Sequence, residues 1–144
     1  MEINHFLAWA IAIATVAGIG MTAMVWAYVG SGSTTILFTE AVTLSSEVPE
    51  DRAGSKAKEE FNRGTEAFAR GNFRQARDRF TQSLEYLDDI PEAYHNRGLA
   101  WANLRKDDDA AINLARAGEL YARRDKPAAI AQIKAQLEAI KARR

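Results

Sequence analysis

The chain contains no cysteine and only two histidines, His5 and His95. Without cysteine there are no disulfides, no thiol catalysis and no thiolate metal sites, and the redox compartment stays open. There is no glycine-rich phosphate loop, no cluster of metal ligands and no nucleophile placed beside a base. Asp107-Asp108-Asp109 is too compact for a calcium loop and is followed by no bidentate Glu at loop spacing. It reads instead as a cap, with Asp107 at the N-cap, on the positive end of a helix. These absences predict a protein that is not an enzyme, with no catalytic residue, no metal, no cofactor and no small-molecule substrate.

Basic residues are missing from the whole N-terminal third. Residues 1–51 hold Glu2, Glu40, Glu47, Glu50 and Asp51 but no Lys or Arg, and all 19 basic residues lie beyond them, against the other 14 acidic ones. The basic excess is spread through helices rich in Glu and Asp, which describes a solvated face rather than a nucleic-acid surface.

Charge is also missing from Phe6 to Tyr28. A helix of that length spans about 34 Å, enough to cross a hydrocarbon core of about 30 Å. Trp9 stands near one end and Trp26 and Tyr28 near the other, where aromatic belts sit. A cleaved signal peptide would need a basic n-region and a shorter apolar run. The expectation is therefore a retained transmembrane helix within residues 1–30. Ala10, Ala14, Gly18 and Thr22 recur every fourth residue, a small face suited to packing against another helix in the lipid bilayer. The flanks of the helix give the positive-inside rule little to count, and the basic-poor tail and the basic C-terminal part favour the cytoplasmic or stromal side for the rest of the chain.

Residues 31–55 read as a linker. Thr35-Ile36-Leu37-Phe38 is its one apolar run, which could lie at the membrane interface, pair with a partner, or start a short helix through Val42 and Leu44. Glu47 to Asp51 reads as extended and solvated.

Residues 56–124 repeat with a period of 34. Asn62-Arg63-Gly64 returns as Asn96-Arg97-Gly98, and Ala76, Phe80 and Ser83 return as Ala110, Leu114 and Ala117. A fixed period of this length, each unit reading as two helices, marks a helical repeat array. The first block (56–90) predicts a helix from Lys56 to Ala69 capped by Ser55, a turn at Gly71, and a helix capped by Asn72 that runs to Leu87. The second block (91–124) opens with Pro91 in its first helical turn. Gly64 and Gly98 are expected where the two helices of each pair approach, with Ala76 and Ala110 opposite and Phe80 and Leu114 filling the next layer. Residues 125–144 predict a last helix, Pro127 to Ala142, with Ile130, Ile133, Leu137 and Ile140 on one face. The fold class is therefore all-α: one N-terminal transmembrane helix, a short α-solenoid of two helix pairs and a C-terminal capping helix.

The runs Ala93-Tyr94, Gly98, Trp101, Ala110, Leu114, Ala117 and Gly64, Ala67-Phe68, Gly71-Asn72-Phe73, Ala76, Phe80, Ser83-Leu84 closely resemble the tetratricopeptide repeat. Two positions depart from it. Arg63 and Arg97 replace an aliphatic residue, and Glu60 stands where a large aromatic is common, as suits a terminal repeat. The resemblance implies a concave groove for protein binding formed by Phe61, Thr65, Phe68, His95, Asn96 and Leu99, with Asn96 at the position of an asparagine that hydrogen-bonds a peptide backbone. The carboxylate clamp of chaperone-binding repeats is not matched, because Phe61 and Thr65 replace its Lys and Asn. An extended or helical apolar ligand fits better, unless Phe61 and Phe68 contact the linker or membrane helix of the same chain. A membrane anchor followed by a short repeat domain is similar in arrangement to the photosystem I assembly factors of cyanobacteria and plastids. The expected function is a membrane-tethered scaffold for complex assembly in an inner or thylakoid membrane, with membrane protein subunits as partners. A permanent accessory subunit and a periplasmic quality-control protein stay open as alternatives.

Overall fold

Four of the five helices begin at a side-chain cap or at a proline, whose missing amide needs no partner. In the computed structural model, which describes residues 35–44 and 48–143, these helices are α1 (Arg52–Ala69), α2 (Phe73–Tyr86), α3 (Pro91–Asn103), α4 (Asp107–Arg123) and α5 (Pro127–Ala142). No strand occurs among the described residues, and the all-α expectation holds for them. Among them no helix is long and apolar enough to cross a membrane. The expected transmembrane helix and its Ala10, Ala14, Gly18 and Thr22 face lie outside the described residues.

The start of α1 differs from expectation. Asp51, not Ser55, is the N-cap, and its carboxylate accepts from the Gly54 amide at 2.7 Å. The helix therefore starts at Arg52, and Gly54 is required there because a Cβ would lie 1.9 Å from the Pro49 carbonyl oxygen. The start of α2 keeps the Asn72 cap but not the reciprocal half of the capping box: Asn72 Oδ1 accepts from the Gln75 amide at 3.3 Å, while the Gln75 side chain accepts from Asn72 Nδ2 at 3.2 Å and the Asn72 amide donates to the Ala67 carbonyl. The start of α4 lies one 34-residue period later but is not capped in that way. Lys106 holds the N-cap position with no side-chain bond, and Asp107 belongs to the first turn, where its carboxylate pairs with Arg143. The three aspartates still sit at the helix end that favours negative charge.

Successive helices pack on one another, and α1 also meets α3. Within each pair the axes close over a glycine. A Cβ on Gly64 would lie 2.6 Å from a Phe80 ring carbon, and one on Gly98 would lie 3.0 Å from Leu114 Cγ and 3.2 Å from the Ala110 carbonyl oxygen. Ala76, Ala110, Phe80 and Leu114 are all fully buried, so the small-and-large layering expected from the repeat is present. The two pairs meet through Trp101, whose ring carries the Arg77 guanidinium at 4.7 Å. The last helix spans the expected residues and buries Ile133 and Ile140, with Ile130 and Leu137 partly buried beside them.

Candidate functional site

Helix α3 is buried on almost every side. Two of its carboxamides, Asn96 and Asn103, are seven residues apart, which is about two turns or 10.5 Å along one face. Across that face runs the segment 36–44, which has no helical turn; the short helix considered for it does not form. Asn96 Oδ1 accepts from the Val42 amide at 2.6 Å, and Asn96 Nδ2 donates to the Val42 carbonyl at 2.8 Å. Asn103 does the same for Phe38: its Oδ1 accepts from the Phe38 amide at 3.0 Å and its Nδ2 donates to the Phe38 carbonyl at 2.7 Å. The Leu37 amide also donates to Asn103 Oδ1, at 3.0 Å. Each carboxamide thus offers an acceptor and a donor to the backbone of one residue, as a neighbouring β-strand would, and Asn103 shares its acceptor with Leu37. Four extended residues cover about 13 Å, close to the span between the two asparagines. The segment runs against the direction of α3, and Leu37, Phe38, Ala41 and Leu44 pack on the core beneath.

Among the residues expected in the groove, Asn96 is fully buried and hydrogen-bonds the backbone of a segment of its own chain. Leu99 is buried one turn further along α3. The other four have different surroundings. Phe61 and Phe68 are only 1% exposed. Their rings pack inside the first pair, against Phe80 at 5.4 Å and Phe73 at 5.1 Å between centroids. The half-buried Thr65 bonds back to the Phe61 carbonyl at 3.1 Å. His95 is not open to a groove. It is enclosed beneath α5, with Nε2 2.6 Å from Gln136 Oε1 and its ring edge-on to Tyr121. A carboxamide oxygen only accepts, so the proton is on Nε2. Burial lowers the His95 pKa despite that bond, which keeps the ring neutral. Asn103 is the groove residue that sequence reasoning missed, although its i+7 spacing from Asn96 puts both on one face.

Beside Val42 the groove continues into a cavity of about 360 Å³ lined by Val42, Glu92, Tyr121, Asp125, Lys126 and residues 127–129. Glu92 Oε2 and the Tyr121 hydroxyl are buried there without a hydrogen-bond partner. Burial, and after it the Glu92 carboxylate, raises the Tyr121 pKa and keeps the phenol protonated. The site therefore combines two stations that grip a backbone with a pocket at one end where a carboxylate oxygen and a phenol hydroxyl are unpartnered. Comparison with protein-family models, with curated proteins and with solved structures gives no match.

Proposed function

We propose that the protein is a non-enzymatic, membrane-tethered scaffold of the tetratricopeptide type, which binds an extended segment of a partner and acts in the assembly of a membrane protein complex. In this reading the two helix pairs are a short α-solenoid and α5 is its cap. The observation that carries the reading is the paired grip of Asn96 and Asn103 on Val42 and Phe38. Both stations read the backbone alone, so they accept any extended chain of the right direction. The uncharged run from Phe6 to Tyr28 supplies the tether. Tethering raises the effective concentration of a weak binder to about millimolar with no new contact. The repeat domain then lies on the cytoplasmic or stromal face of an inner or thylakoid membrane.

A pull-down of the tagged full chain in mild detergent tests this. Recovery of membrane subunits from immature intermediates, lost in the Asn96→Ala/Asn103→Ala variant, is the expected result. Stoichiometric recovery within the mature complex would make the protein a permanent subunit instead. Recovery that ignores both asparagines would remove the groove from the account.

A further inference from the structure

The segment now in the groove satisfies one part of the site and leaves another unsatisfied. Its backbone is fully engaged at Phe38 and Val42. Its side chain at the cavity is the aliphatic Val42, which offers no hydrogen bond to Glu92 or Tyr121. Glu92 is 5% exposed and Tyr121 4% exposed, so water does little to compensate them. A buried carboxylate oxygen and a buried phenol without partners both raise the free energy of the protein as it stands. Lys126, which lines the same cavity, bonds to neither atom, and an occupant that brings a cationic donor within reach of both removes that cost. Along its outer edge Ile36, Thr39, Glu40 and Thr43 are exposed.

We propose that residues 36–44 are a resident, replaceable occupant of the α3 groove, and that the partner which displaces them is an extended segment carrying Lys or Arg at the place of Val42. This rests on the groove reading given above and adds the identity of the incoming side chain. The ammonium or guanidinium meets the Glu92 carboxylate and the oxygen of Tyr121, while Asn96 and Asn103 take over the new backbone. The resident segment keeps the apolar face of α3 covered until that exchange.

The test uses the full-length protein in detergent and three fluorescein-labelled peptides: the 35–44 sequence, the same with Val42→Lys, and the same with Val42→Glu. The expected order of affinity is lysine, then parent, then glutamate, with about tenfold between the first two. In Glu92→Gln protein the lysine advantage shrinks towards one. In the wild-type protein, binding of the lysine peptide speeds hydrogen exchange at the Leu37, Phe38 and Val42 amides, because the resident segment leaves.

Equal affinity of the three peptides overturns the cationic pocket. Binding without faster exchange overturns the displacement. A third arm separates the proposal from the reading beneath it, using a protein whose residues 36–44 are replaced by a Gly-Ser chain. If the peptides bind that protein but not the wild type, the segment is a permanent cover and the proposal falls while the groove reading stands. If the Gly-Ser protein folds and binds none of them, the groove reading falls as well. The peptide ranking and the exchange readout both use wild-type protein, so neither depends on a variant that folds.

Discussion

Asn62-Arg63-Gly64 on α1 and Asn96-Arg97-Gly98 on α3 are the same three residues one period apart, and only the glycine has the same role in both. Gly64 and Gly98 each let their helix close on its own partner, over Phe80 and Leu114. Asn62 is exposed, whereas Asn96 is fully buried and holds Val42. Arg63 is half-exposed and pairs with Glu59 and Glu60 at 2.7 and 2.9 Å. Arg97 instead donates to Asn113 at 2.7 Å and to Thr81 at 3.3 Å, and lies 5.1 Å over the Tyr94 ring. The position of Tyr94 in the first block is Glu60, which is not merely a terminal replacement for an aromatic. It also binds Arg79 at 2.9 Å and so ties α2 to α1. The small residue buried where the two helices of a pair close repeats its role with the period. A residue facing out of the pair takes its role from whatever lies over it.

The largest effect separating the blocks is expected inside the pairs. Phe80→Ala removes the ring under Gly64 and costs about 3–5 kcal/mol in a denaturant titration. Leu114→Ala should cost about 2–5 kcal/mol, so the blocks differ here in size and not in kind. Gly64→Ala drives a Cβ to 2.6 Å from an aromatic ring and costs about 1–3 kcal/mol. Gly98→Ala should cost less than Gly64→Ala, because its nearest neighbours stand 3.0–3.2 Å away. A reversed order would contradict the closer approach at Gly64.

The contrast sharpens at the asparagines. Asn96→Ala breaks both bonds to Val42 and should cost about 1–3 kcal/mol in the same titration. Asn62→Ala, on an exposed face, should stay within about 0.5 kcal/mol. Equal costs would remove the distinction between the two motifs.

The smallest expected effect is on pH dependence, and it concerns His95 against Phe61 one period earlier. The unfolded His95 takes a proton near its usual value of 6.5, while burial lowers the folded pKa. The unfolded state therefore binds more protons as pH falls, so the His95 contribution is complete above about pH 6.5 and is lost below it. The thermal midpoint should fall between pH 7 and pH 5 in the wild type. In His95→Gln the fall should be shallower, and an unchanged fall would assign the pH dependence elsewhere.

How much of this is legible in the sequence follows the same division. The five helices and the Gly64–Phe80 and Gly98–Leu114 layers can be read because they depend on offsets within one pair. The enclosure of His95 cannot, because it depends on Gln136, 41 residues away on a helix outside the repeat. The position of residues 36–44 is equally hidden. Their backbone, not a side-chain pattern, makes the contacts, and Asn96 and Asn103 lie 54 to 66 residues further along. Phe61 and Phe68 pass for groove lining in the sequence because an aromatic on a first helix satisfies either pattern.

Amide hydrogen exchange on the full-length protein tests the central claim, that α3 holds an extended backbone through two carboxamides. The Phe38 and Val42 amides should exchange slowly, and the exposed Thr39 and Glu40 amides between them fast. Asn96→Ala should release Val42 more than Phe38, and Asn103→Ala the reverse. Fast exchange at all four amides in the wild type, or protection that neither substitution changes, would contradict the account.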